Sequence, residues 1–278
     1  MKKMLVLLVV LILAGGVVFA QDSGFSLGVE FGIEDINEPK DAWGPYLMPM
    51  LIYENSFLNG AVDINGELDY TYEFTKTKPA SGKEYNPQKL DFDLGLGVNF
   101  ELGYSSTLSL LAENENSVDI APKPADFLDS LNGTFTPGIK FTQGIDFGDI
   151  YAQADVPITY RDHGKVEKFT SGLNFTAGWD SSFGFGIKVK EYNSLTPASA
   201  REWFTHFDVT LSYETDFFYG EVLAEIPRKF ADGVTVTPTL ECYLGSFTFY
   251  GFCEFDGIAA KRDGGIRISP GIGVKVSF

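Results

Sequence analysis

The stretch Gly265–Phe278 reads Gly-Ile-Arg-Ile-Ser-Pro-Gly-Ile-Gly-Val-Lys-Val-Ser-Phe. Ile266, Ile268, Ile272, Val274, Val276 and Phe278 are apolar and fall on every second residue. Arg267, Ser269, Lys275 and Ser277 alternate with them, with glycines between. A strand sends successive side chains to opposite faces, so this segment carries one apolar and one polar face and ends on the apolar one. A single alternating strand is compatible with many sheets. Here nearly the whole chain repeats it.

In chain order the apolar rows run Phe25–Ile33, Tyr46–Tyr53, Val62–Phe74, Leu90–Leu102, Leu108–Ala112, Phe135–Phe141 and Ile150–Tyr160. The second half continues with Phe169–Trp179, Phe183–Val189, Phe207–Tyr213, Phe218–Ile226, Val234–Leu244, Phe247–Phe255 and Ile266–Phe278. That pattern predicts fourteen strands, or twelve if the first two rows are not both crossings. From the third row to the last, the apolar positions carry no Asp, Glu, Lys or Arg. So many apolar faces with nothing to pack on would be a large exposed patch in water. A bilayer removes that problem, and closure into a barrel satisfies the strand edges.

The connections alternate in length. Gly103–Ser106, Asp180–Ser182, Glu214–Asp216 and Gly245–Ser246 read as tight turns. Lys76–Pro87, Asn114–Leu131, Glu191–Trp203 and Asp256–Gly264 read as longer polar loops. Short turns at one end and long loops at the other are the barrel pattern, the short ones periplasmic. An even strand count places both termini with the short turns. Pro124–Leu131 reads as a helical turn or two within its loop. Pro49, Pro137, Pro157, Pro238 and Pro270 fall inside the rows, where each removes a ladder donor, so bulges or frayed pairing are expected there.

The first twenty residues stand apart. Lys2 and Lys3 precede an apolar run from Met4 to Ala14, and small residues lead to Ala20–Gln21, the pattern of a cleaved secretory signal peptide. Residues 21–278 then form one domain. The 278-residue chain is 44% hydrophobic with 25 Phe, yet holds 38 acids against 21 bases for a net charge of −17. Removing the signal leaves 19 bases and a charge of −19. So acidic a chain excludes nucleic acid as a partner. Cys242 and Cys253 are the only cysteines. A turn near Gly245–Ser246 sets Cys242 opposite residue 249 and leaves Cys253 roughly 13 Å further along, beyond disulfide reach. Both read as small outward-facing hydrophobes.

The polar parity is where function is expected. It carries Glu67, Asp69, Asp91 and Asp93 on the third and fourth rows, Glu221 and Glu225 on the eleventh, and Lys188, Lys190 and Arg267 as bases. Charged interiors are costly to keep dry, so these residues predict a water-filled pore. Acids outnumber bases, which predicts a modest preference for cations unless cross-strand pairing cancels the field. Two His and two separated Cys make no metal site, and no cofactor motif is present. Asp162–His163 in a loop and His206 beside Asp208 are the only residues that suggest catalysis, and neither completes a nucleophile–base pattern.

The terminal row resembles the C-terminal strand of bacterial outer-membrane β-barrels, which ends in Phe. By that resemblance Ile272, Val274, Val276 and Phe278 form the signal read by the barrel-assembly machinery. In strand count and length the chain resembles monomeric fourteen-stranded porins of the outer-membrane-protein-G type. The resemblance implies an all-β, transmembrane, antiparallel up-and-down barrel in the outer membrane of a diderm bacterium. It also implies a monomer surrounded by outer-membrane lipid, passing small solutes or ions without cofactor or metal. Two other readings stay open: a structural or adhesive surface barrel that binds ligands through its extracellular loops, and a barrel enzyme.

Overall fold

A computed structural model describes residues 24–34, 44–74, 85–121, 131–160, 170–195, 202–260 and 265–278. The signal segment, the Pro124–Leu131 turn up to residue 130, and Asp162–His163 lie outside the described residues. Fourteen antiparallel strands follow in chain order: β1 (Phe25–Glu34), β2 (Gly44–Phe57), β3 (Val62–Glu73), β4 (Gln88–Gly103), β5 (Ser106–Ala121) and β6 (Asn132–Ile145). β7 runs Gly148–Asp155 and resumes at Ile158–Tyr160, and β8 runs Thr170–Ser171 and resumes at Asn174–Ser181. β9 (Phe185–Ser194), β10 (Glu202–Glu214), β11 (Phe218–Pro227), β12 (Val234–Leu244), β13 (Phe247–Ile258) and β14 (Arg267–Ser277) complete the set.

Each strand pairs with the next, and β14 pairs with β1 from Ser26↔Ser277 to Gly32↔Gly271. The sheet is therefore a closed up-and-down barrel of fourteen strands, not twelve. Closure leaves no unpaired edge. The amide of Phe278 donates to the carbonyl of Phe25 (3.0 Å), which ties the last residue to the start of β1. Both ends of the described chain lie with the short turns 58–61, 104–105, 146–147, 182–184, 215–217 and 245–246.

Which face is inside follows from contacts that skip strands. Tyr250 on β13 reaches Glu30 on β1 (2.9 Å) and Met50 on β2 (3.9 Å), with β14 between it and β1. Only the concave face brings such side chains together. Register then carries the assignment round the barrel. Met50, Asp69, Asp91 and Ser117 lie directly opposite one another in turn and face inward, as do Glu67, Asp93 and Glu115. Leu94, Leu240 and Ile272 face outward and are more than half exposed. Among the described residues the buried large apolar side chains are only Met50, Val118 and Val234. The molecule has apolar groups on its outer surface and polar ones within, the reverse of a water-soluble core.

Four expectations change. Asn114–Ala121 is not loop but the second half of β5, pairing with β4 as Asn114↔Leu94 and Glu115↔Asp93. Its polar run Glu-Asn-Glu-Asn has no apolar phase to read, and backbone pairing on both sides supplies the strand. β9 likewise extends to Ser194, β10 starts at Glu202, and β13 extends to Ile258. Pro49, Pro137, Pro238 and Pro270 cause no register shift, sitting opposite Val29, Ala112, Val222 and Cys253. A strand residue donates to one neighbour only, so each proline costs one bond without displacing the ladder. Pro157 does interrupt β7, yet Asp155↔Gly138 and Ile158↔Phe135 keep the same register across it. The register shifts fall instead at Gln88/Lys89, Glu101/Gly103, Tyr192/Ser194 and Val234/Val236. Cys242 lies opposite Phe249, Cys253 opposite Pro270, and both are free thiols.

On β5, β7 and β9 the outer face turns polar towards the long connections. Asn114, Asn116 and Tyr160 share the outward parity, and the Tyr160 hydroxyl bonds both asparagine side chains. Glu191 on β9 takes the same parity between Phe175 and Phe207.

Candidate functional site: the lumen wall

The lumen is built from the inward parity of every strand. On β3, β4 and β5 it is densely acidic. Glu67 faces Asp93 directly, Asp93 faces Glu115, and Asp69 faces Asp91. Like charges opposite one another in a sheet repel. Glu67, Asp69 and Asp93 form no ion pair among the described residues; Asp93 only accepts the backbone amide of Asn116 (3.3 Å). Asp91 is paired with Lys89 (2.8 Å). One carboxylate oxygen of Asp69 is buried with no hydrogen-bond partner. Glu113 and Glu115 on β5 extend the wall and are exposed to the interior.

This wall lines open space. A recess of about 680 Å³ is bounded by Asp69, Asp91, Asp93, Glu115, Ser117 and Thr134. A second, of about 480 Å³, is bounded by Glu30, Tyr46, Asp91, Phe252, Glu254 and Arg267. Asp91 borders both.

The bases are held elsewhere. Lys190 lies over the ring of Tyr192 (4.9 Å), Lys140 over Tyr151 (4.3 Å) and Lys275 over Tyr250 (4.9 Å). Such contacts hold an ammonium by the negative face of the ring. Arg267 is bound to Asp256, and Lys275 approaches Glu241 at 3.9 Å. Lys188 faces inward opposite Gly178 and Thr210 and pairs with no carboxylate among the described residues. Glu221 accepts the Tyr219 hydroxyl (2.5 Å), and Glu225 stands opposite Asp208 and Thr235. The structure thus brings Glu67, Asp69, Asp91 and Asp93 into one block. Lys188 and Lys190, Glu221 and Glu225, and Arg267 lie on other parts of the wall.

Sequence reasoning missed Glu30. It is 7% exposed and accepts the hydroxyls of Tyr46 on β2 (2.7 Å) and Tyr250 on β13 (2.9 Å). The three side chains form a clasp over the β14–β1 seam. The seam backbone beneath it is glycine: an added Cβ at Gly32 would collide with Tyr46, at Gly273 with Tyr250, and at Gly271 with Phe252. Glycine is required there by close approach of the rings.

His206 stacks on Tyr192 with centroids 4.0 Å apart, and its Nδ1 lies 3.1 Å from Thr205 Oγ1. The neighbouring Asp208 accepts the Tyr192 hydroxyl (2.7 Å) and is not aimed at the imidazole as a triad acid would be. Among the described residues no three His, Cys, Asp or Glu side chains are placed to hold a metal ion.

These observations define the class: a closed, fourteen-stranded, up-and-down β-barrel with an apolar exterior and a charged interior. No protein-family model matches the sequence, and no curated protein matches it. Among solved structures, a mutant porin of Rhodopseudomonas blastica aligns over 91% of this chain and 99% of its own, with a TM-score of 0.44 and 8% identity. A KdgM porin aligns over the same shares with a TM-score of 0.43 and 8% identity. At these values the likeness is one of architecture alone.

Proposed function

We propose that the protein is an outer-membrane channel that passes small polar solutes by passive diffusion, with a preference for cations. Lipid covers its outer face, the assembly machinery reads Ile272, Val274, Val276 and Phe278, and the barrel works as a monomer. The reading is supported first by the acidic wall of Glu67, Asp69, Asp93 and Glu115 bordering open lumen space, in which Glu67, Asp69 and Asp93 form no ion pair among the described residues. An inside-out distribution of apolar surface supports the membrane setting. Acidic groups lining a narrow aqueous path raise local cation concentration and exclude anions.

The zero-current potential of purified, refolded protein across a planar bilayer in a KCl gradient tests it. Cation selectivity is expected, and Glu67→Gln, Asp69→Asn, Asp91→Asn and Asp93→Asn together should bring the potential towards zero. Anion selectivity of the wild type, or an absence of conductance steps, overturns it.

A further inference from the structure

Five of the six short turns display a large apolar side chain. Leu58, Tyr104, Phe147, Phe183 and Phe217 are between 61% and 98% exposed, and the sixth turn runs straight into exposed Phe247. Turn chemistry does not ask for these residues. Tyr104 and Ser105 both have positive φ (48° and 60°), as does Leu58 (55°). Asn, Asp or Gly is the usual occupant of such positions, and a bulky side chain there is strained.

The tips are continuous with the apolar exterior. Phe183 meets Trp179 edge-on (6.1 Å), and Trp179 meets Phe185 (6.1 Å). Phe217 packs against Phe218 (6.5 Å), which meets Tyr213 (5.8 Å). Leu102 and Leu244, on the last outward positions before their turns, are also exposed. Ser106 and Gln143, the polar pair on the outer face at this level, bond to one another, and Gln143 caps the Tyr104 carbonyl (3.0 Å).

Height points the same way. The outer face becomes polar at Asn114 on β5 and Glu191 on β9. From Tyr104 to Asn114 is ten residues, which at about 3.3 Å each and a tilt of about 40° rise roughly 25 Å. From Phe183 to Glu191 the same reckoning gives roughly 20 Å. On β5 and β9 the outer face therefore approaches an apolar band of about 25 Å only when the turn tips are counted in it.

We propose that the short-turn rim is seated in the headgroup layer of the leaflet it faces, so that the hairpin tips themselves fix the depth of the barrel. The occupant of the apolar rim is lipid, and almost nothing of the protein projects beyond that leaflet. This rests on the membrane reading above, and the test separates the two.

The test replaces Trp43, Trp179 and Trp203 by Phe and introduces one tryptophan as Tyr104→Trp, Phe147→Trp or, at the far edge of the apolar band opposite Asn114, Leu94→Trp. Each variant is refolded into phosphatidylcholine vesicles containing lipid brominated near the headgroup end of its chains, or into unbrominated vesicles with iodide on both sides. The rim variants should be quenched strongly by the shallow bromines and only weakly by iodide. If they are quenched by iodide and spared by bromine while Leu94→Trp is bromine-quenched, the rim stands in water, free for a soluble partner, and the proposal is overturned. If Leu94→Trp is spared by bromine as well, the membrane reading itself falls.

Discussion

The Glu30 clasp gives the sharpest stability prediction. Glu30→Ala removes two hydrogen bonds from phenolic donors to a carboxylate, at 2.7 Å and 2.9 Å, and frees Tyr46 and Tyr250 from the seam. Hydrogen bonds to charged groups contribute about 1.5–3 kcal/mol each. Lumen water can reach the part-buried hydroxyls and recover part of that, so the net loss should be about 2–4 kcal/mol. Glu30→Gln keeps one acceptor and should lose about half as much. Glu254→Ala, on the same wall but exposed, is the control and should fall within about 0.5 kcal/mol of wild type. Equilibrium unfolding in urea of detergent-refolded protein, followed by tryptophan emission, reads all three. Equal midpoints for Glu30→Ala and Glu254→Ala would refute the idea that the clasp stabilises the seam. A cycle with Tyr46→Phe and Tyr250→Phe assigns the coupling to each bond.

Other consequences are separately measurable. Gly178 lies directly beneath the Tyr151 ring, so Gly178→Val should cost about 1–3 kcal/mol by overpacking, and adding Tyr151→Ser should restore most of it. The urea midpoint reads this pair; no rescue would mean that the strain lies in the backbone. Cys242 faces outward, so in vesicles a charged, water-soluble thiol reagent should leave it unmodified while labelling Lys188→Cys in the lumen. Similar labelling rates at the two positions would count against the assignment of faces.

The sequence revealed the strands wherever one face is uniformly apolar. On β4 the row Leu90–Leu102 falls within the observed Gln88–Gly103, because every outward position carries a hydrophobic side chain. The second half of β5 was hidden because Glu113–Ser117 is polar on both faces. Its acids Glu113 and Glu115 were therefore absent from the expected lumen set, though they extend the same wall. Glu30 was hidden for a different reason. Its partners lie 16 and 220 residues away, and only the β1–β14 closure brings Tyr250 to it. The seam glycines stood in plain view on the polar parity, but the rings that require them appear only once the register is known. Turns at 58–61 and 146–147 went unread because Leu58 and Phe147 look like strand residues, the property that now links those tips to the apolar belt.

The central claim is that hydrocarbon, not a protein core, covers the outward side chains. Flotation tests it directly: residues 21–278, refolded without detergent in the presence of lipid vesicles, are spun through a density gradient under a urea wash. The protein should rise with the vesicles and resist extraction. Recovery at the bottom as a soluble, monodisperse monomer would contradict the claim, and the channel with it.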